Sequence, residues 1–563
     1  MRWLGLIWMI PVLGYGQFSG NTTPTYDELI QIYKQWDADH KEIECYVAGK
    51  SDTDKPLYVC FINGARDSIA TFSQAKERTV ILINNAIHPG EPDGVNACLL
   101  WIQNWLANGK STKELPLIAI VPAYNVGGMF NRSGTSRANQ NGPEEYGFRG
   151  NAQNLDLNRD LIKMDAPNSW TLIRLFRELE PDVFVDTHVS NGADYQYTLT
   201  LIHSMRERMD VGLSQLMDAS YFPEMNKYLK KKQWDWAPYV ETKAEIPDSG
   251  LVAFNDLPRY AQGYGTLLHT LAVTVETHML KAFPDRVRAT LDYLTFLIDW
   301  TGKHAAELES VRSKAIAKAK ENDYYKFNYT LSDSWEPIEF KGYQATYKPS
   351  EVTGLNRLCY DRSKPWKGKV PYYCYHQAQD SVRIPRAYVV SLEATEVIDR
   401  LKQNGVEFEV LRRDTLFLTS LRLTHYENGN KPYEGHFLHR NMRIQEQVDT
   451  LVLPAGSILI RTDQDLRNFI VSVLEPATED SYFAWNFMDG YLQQKEYFSP
   501  YVFEDYAADL LRKDAQLKAE FEAKRAADEN FAKDAWQQLF FIYQRSPLFE
   551  EHTFMRLPVY KMY

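Results

Sequence analysis

A histidine and a glutamate three residues apart, His88 and Glu91 in the stretch NNAIHPGEPDGVNA, stand where an apolar run stops. The same spacing recurs at His304 and Glu307, within a Lys/Glu-rich stretch that reads as a solvated helix, so spacing alone does not define a site. Residues elsewhere separate the two cases. His188 ends the run DVFVDTH, Glu276 lies near the end of LAVTVETH, and Asn125 ends LPLIAIVPAYN. Two histidines and a glutamate (His88, Glu91, His188), with Glu276 beside them, match a catalytic zinc site, where three protein ligands leave a fourth position for water. Zinc in such a site lowers the pKa of bound water to about 7 and polarises a carbonyl. Glu276 would then act as general base, and its place in an apolar run would tend to raise its pKa.

These groups can meet only if their runs are strands of one sheet. The runs Thr79 to Asn85, Leu115 to Asn125, Asp182 to His188 and Leu271 to His278 alternate with helical patterns. Two of those helices are GVNACLLWIQNWLANG, stopped by Gly109, and SWTLIRLFRELEP, ended by Pro181. The alternation predicts an α/β fold with a mostly parallel, mixed central sheet flanked by helices. In such sheets ligands bind outside the carboxyl ends of the strands, where each of these runs delivers its polar residue. Pro89 and Gly90 turn the chain so that His88 and Glu91 can face one ion. Tyr26 to Asp39 reads as a further helix. The polar loop from Phe130 to Asp160 carries Arg132, Arg137, Arg149 and Arg159. An arginine pairs bidentately with a carboxylate, so an arginine near this site points to an anionic substrate group.

The chain has 563 residues, which calls for two or three domains. With 44% apolar and 24% charged residues it should be globular nearly throughout, and its net charge of −11 argues against a nucleic-acid or anionic-membrane partner. Residues 1–16 read as a secretory signal peptide: one Arg, an apolar run from Leu4 to Leu13, then Gly14 and Gly16. No later segment is apolar enough to span a bilayer, so the mature protein is expected to be secreted or periplasmic, with no integral membrane segment. The five cysteines allow one or two disulfides, Cys359 with Cys374 being the first pair to test.

Taken together, these motifs resemble the zinc carboxypeptidase family of the carboxypeptidase A and B type. HPGE resembles its first ligand pair, VDTHV its third-ligand strand, VTVETH the strand of its catalytic glutamate, and LDLNRD its Asp-x-Asn-Arg motif. The resemblance covers roughly residues 25 to 300 and implies one Zn²⁺ held by His88, Glu91 and His188, with Glu276 as base. It further implies that Asn158 and Arg159 grip the terminal carboxylate of a peptide substrate, that Asp156 orients His88, and that Arg149 stabilises the oxyanion. For the tyrosine that closes over substrate, Tyr260 and Tyr264 are both candidates, with Tyr260 preferred. LEPATEDSYFAWNF (Leu474 to Phe487) is similar to a segment in the C-terminal extensions of large bacterial members.

The expected organisation is a signal peptide (1–16), a zinc carboxypeptidase-like catalytic domain (17–310), a helical linker (311–330) and an α+β C-terminal accessory region (331–563). That last region has a possible subdomain break near 460, short aromatic strands over 323–395 and a helical tail from about Ala515. The expected activity is removal of a C-terminal residue from peptides. The alternatives are a related zinc amide hydrolase acting on cell-wall peptides or acyl-amino acids, and an inactive binding module that keeps the fold.

Overall fold

The computed structural model describes residues 18, 20–65, 67–109, 114–412, 414–550 and 553–563; the expected signal peptide lies outside the described residues. At its centre is an eight-stranded mixed sheet. Its middle is parallel, in the spatial order Leu117–Val121, Val80–Asn84, Val183–Ser190, Leu271–His278. These strands are almost wholly buried, which is why they read as continuous apolar runs rather than alternating ones. Antiparallel strands flank them: Pro56–Ile62 and Ile43–Lys50 on one side, Leu199–His203 on the other.

The chain order creates a crevice. After Val80–Asn84 the helix Asp93–Ala107 carries the chain to Leu117–Val121 on one side, and the helix Pro167–Leu179 returns it to Val183–Ser190 on the other. The crevice opens where the two connections part, beyond the carboxyl ends of those strands, the usual ligand position in open α/β sheets. One face of the sheet packs under the helices Asp93–Ala107 and Phe283–Lys303. Gly94 lets the first of these approach closely, because a Cβ there would lie 2.1 Å from Thr187 Oγ1.

The opposite face shares its apolar core with the C-terminal region. Phe176, Leu179 and Tyr264 from the first region pack in one cluster with Val397, Phe469 and Trp485 from the second. The C-terminal region is built on a six-stranded sheet with Arg556–Met562 between Ala387–Val390 and Asp414–Asn428. Strand Ile458–Arg461 pairs within it, so the sheet runs straight through position 460. The helix expected to link the regions ends at Glu321, and Tyr324–Leu331 is a strand. The strands expected to be short over 323–395 include a long hairpin, Glu336–Pro349 with Asn356–Tyr373. From Pro500 four helices form a small core of their own around Phe503, Phe521 and Phe531.

The cysteine expectation is corrected. Cys45 and Cys60 sit directly opposite each other on the antiparallel strands Ile43–Lys50 and Pro56–Ile62 and form the disulfide. Cys359 and Cys374 are free thiols. Cross-strand partners bring their Cβ atoms together, a proximity that separation along the chain does not reveal.

Candidate metal centre

The site starts from a turn. Ala86, just past strand Val80–Asn84, takes a left-handed backbone conformation (φ 56°), and Pro89 and Gly90 complete the change of direction into helix Asp93–Ala107. Gly90 leaves room for Arg137, whose Cδ would lie 2.8 Å from a Cβ at that position. His88 and Glu91 therefore point into the crevice, and both are buried. His188 enters from the neighbouring strand.

Three ligand atoms converge. His188 Nδ1 lies 3.1 Å from His88 Nδ1 and 3.1 Å from Glu91 Oε2, and His88 Nδ1 lies 3.3 Å from Glu91 Oε2. The far side of each ring is held by a carboxylate: His88 Nε2 donates to Asp156 Oδ1 (2.9 Å) and His188 Nε2 to Asp186 Oδ2 (2.6 Å). A carboxylate only accepts, so these bonds place a proton on each Nε2 and leave each Nδ1, on the Glu91 side, to a proton or to a metal ion. This is the carboxylate–histidine–metal arrangement that fixes tautomer and ring orientation. Among the described residues, His88, Glu91 and His188 form the one group of three that could hold a metal ion. A borderline-soft divalent cation such as zinc suits the donor set.

Glu91 is an anion here. Burial works against its charge, but Arg137 and the two imidazoles hold its carboxyl well below the usual carboxylate range. Arg137 Nη1 lies 2.6 Å from Glu91 Oε1, and its Nη2 donates to Val189 O (2.9 Å). Sequence reasoning placed Arg137 in the polar loop without a role; its contact with Glu91 depends on a fold across 46 residues.

Glu276 stands beside His188 in the parallel pairing of their strands. Its Oε2 is buried and has no hydrogen-bond partner among the described residues. Burial pushes its carboxyl up to about 8, Glu91 adds to the rise, and His188, Arg137 and Arg149 oppose it. A divalent cation next to it would pull the value back down.

The loop segment Asp156 to Arg159 lies beside the ligand cluster. Asp156 bridges His88 through Oδ1 and Arg149 through Oδ2, which accepts from Arg149 Nε (3.1 Å) and Nη2 (2.9 Å). Arg149 Nη1 also reaches 3.3 Å from His88 Nδ1, so its guanidinium lies over the ligand cluster. Arg159 donates from Nε to the Tyr433 hydroxyl (3.0 Å) and from Nη1 to Asn158 O (2.8 Å), and its guanidinium lies 4.6 Å over the Tyr260 ring. Among the described residues its Nη2 makes no hydrogen bond.

A cavity of about 500 Å³ joins these groups, walled by Arg149, Asn158, Arg159, Tyr239, Phe254, Tyr260 and Glu276. Tyr260 lies on it. Tyr264 does not: it is buried in the core and donates to Asn404 Oδ1 (2.8 Å), which corrects its candidacy. Tyr260 has an extended backbone just before the helix Ala261–Leu267, whereas Tyr264 faces inward from that helix, so the two part although they are only four residues apart. Tyr239 and Phe254 were missed, as no motif marks them; burial and the charge of Glu276 push the Tyr239 phenol upward. Asn125 is structural, capping helix Val126–Phe130 through Gly128 N and tying Ile87 O to Arg149 O. Arg132 is tied up with the carbonyls of Thr23, Pro24 and Glu145.

With the geometry in hand, the likenesses to known proteins are informative. Residues 29–177 match the family model described as Zinc carboxypeptidase, a span that holds His88, Glu91, Asp156, Asn158 and Arg159. Carboxypeptidase 2 of Trichophyton equinum is 23% identical over 501 residues, covering 83% of this chain and 85% of the relative. Carboxypeptidase 2 of Trichophyton rubrum is 22% identical over 510 residues, with 83% and 85% covered. Among solved structures, carboxypeptidase A from Helicoverpa armigera is 14% identical over 55% of this chain and 77% of its own, with a TM-score of 0.36. A metallo-carboxypeptidase from Pseudomonas aeruginosa is 14% identical over 50% and 68%, with a TM-score of 0.34. Residues 29–177 are thus similar to the zinc carboxypeptidase family, and the chain as a whole is similar to the fungal carboxypeptidases.

Proposed function

We propose that this protein is an exported zinc carboxypeptidase that hydrolyses the C-terminal peptide bond of peptides. The observation that carries this reading is the convergence of two imidazole Nδ1 atoms and one carboxylate oxygen, each ring backed by its own aspartate, beside a glutamate whose Oε2 has no hydrogen-bond partner among the described residues. A bound zinc ion would supply a Lewis acid for the scissile carbonyl and a more acidic water. His88, Glu91 and His188 would hold it.

The chain's own groups divide the remaining work. Glu276 takes the proton from the attacking water at its free Oε2 and later returns it to the leaving amine. Arg149, over the ligand cluster, stabilises the negative charge that develops on the carbonyl oxygen. Arg159, with Asn158 beside it, receives the substrate's terminal carboxylate, and Tyr260 covers the bound residue. Asp156 and Asp186 keep the two rings in the tautomer that binds metal. Export rests on the N-terminal sequence; no described helix is long and apolar enough to cross a membrane.

The test is digestion of a peptide library followed by mass spectrometry, with and without a chelator, together with matched peptides carrying a free or an amidated C-terminus. Chelator-sensitive loss of single C-terminal residues, strongly reduced by amidation, is the expected result. Cleavage indifferent to amidation would instead favour an amide hydrolase of other specificity, and no turnover at all a binding role.

A further inference from the structure

The turn joining strands Asp414–Asn428 and His439–Leu453 belongs to the C-terminal sheet, yet it touches the site directly. Two successive residues of it engage the Asp156 to Arg159 segment. The Tyr433 hydroxyl accepts the Nε proton of Arg159 (3.0 Å), and Glu434 Oε2 accepts from the backbone N–H of Asp156 (2.6 Å).

The turn is itself held in place. Tyr433 and His436 exchange two backbone hydrogen bonds, of 2.7 and 3.1 Å. The Tyr433 ring stacks on Trp485 (centroids 6.1 Å apart), and the Arg259 guanidinium lies 5.5 Å from its centre. His436 Nε2 lies 2.8 Å from Asp165 Oδ2. Glu434 adopts a left-handed backbone (φ 50°), which a non-glycine residue keeps only when its surroundings hold it there.

We propose that Tyr433 and Glu434 are positioning residues for substrate binding, so that the C-terminal region completes the carboxylate-binding end of the pocket. This rests on Arg159 being the group that receives the substrate carboxylate. A free arginine side chain samples many rotamers, and its hydrogen bonds are worth more when the guanidinium is fixed in advance. Here Nε is fixed by Tyr433, Nη1 by Asn158 O and the ring-facing side by Tyr260, which leaves Nη2 for a ligand. Glu434 anchors the backbone of Asp156, from which Asn158 and Arg159 follow within three residues.

The experiment is steady-state kinetics of the full zinc-loaded chain and its Tyr433→Phe variant on one peptide with a free C-terminus and on its amide, with melting temperature and zinc content measured alongside. Loss of a hydrogen bond to a charged group should raise KM for the free peptide roughly tenfold. Turnover at saturation, melting temperature, zinc content and amide hydrolysis should stay near wild type. An unchanged KM, or an equal change on both peptides, overturns the positioning role. Wild-type protein that treats both peptides alike overturns the reading of Arg159 instead, and with it this one. Should Tyr433→Phe not fold, Glu434→Ala, which alters a partly exposed side chain, is read against the same two peptides with the same expected KM shift.

Discussion

Glu276 and His188 are direct register partners on adjacent parallel strands, so the candidate base and a candidate metal ligand are set side by side by backbone hydrogen bonds. Their separation is a property of the sheet rather than of a loop, and the sheet is among the most deeply buried parts of the molecule. Rigid placement of this kind favours proton transfer to a fixed point.

Glu276→Gln removes the proton acceptor while keeping the shape. We expect turnover to fall by roughly 10²–10⁴-fold with zinc stoichiometry near wild type. A variant that keeps most of its kcat would remove Glu276 from the chemistry.

Asp186→Asn and Asp156→Asn each release one imidazole from its carboxylate. Loss of these partners should weaken metal affinity by about 10–100-fold, measurable by competition with a chromogenic chelator. Asp156→Asn should also affect the Arg149 contact and so lower turnover even at saturating zinc, whereas Asp186, which instead accepts from Asn84 Nδ2, should act through metal retention alone.

Arg159→Ala should raise KM for free-carboxylate peptides by about 100-fold, since it removes a charged hydrogen-bonding partner. Amidated peptides should be almost indifferent to the substitution. Equal losses on both substrates would point to collapse of the Asp156 to Arg159 segment.

Asp256, which does not line the cavity at the candidate site, offers a pH test. Burial raises its carboxyl from 3.8 to about 7, partly opposed by Arg208 and by the Met205 N–H. The folded state therefore holds a proton that the unfolded state gives up between about pH 4 and 7. Stability should fall as pH rises through that window, at up to about 1.4 kcal/mol per unit, and level off above it. Asp256→Asn abolishes this dependence, so its stability relative to wild type should grow by roughly 4 kcal/mol between pH 4 and pH 8. Denaturant titrations at the two pH values that show a constant difference would mean that the carboxyl titrates normally.

Reduction, or Cys45→Ser, should cost about 3 kcal/mol, because the closed loop spans 15 residues. Cys359→Ser and Cys374→Ser should leave the melting temperature unchanged.

The parallel strands were legible in the sequence because burial makes them continuous apolar runs, and the His-Glu-His cluster was legible because each of its residues lies at or near a strand's carboxyl end. The Asp156 to Arg159 motif was legible as a local pattern. What could not be read depends on contacts between distant segments. Arg137 is one of four arginines in the loop until the turn at Gly90 brings Glu91 to it. Tyr260 and Tyr264 differ because one stands just before a short helix and the other faces the core from it. Cys45 and Cys60 are joined by strand register, and the turn at Tyr433 reaches the site from 274 residues away.

Strand Arg556–Met562 occupies an interior place in the C-terminal sheet although it follows every other strand of that sheet in the chain. During synthesis that place stays open until these residues emerge, leaving Ala387–Val390 and Asp414–Asn428 without their shared neighbour. The sheet therefore closes late, after the segments of the candidate site have all been made.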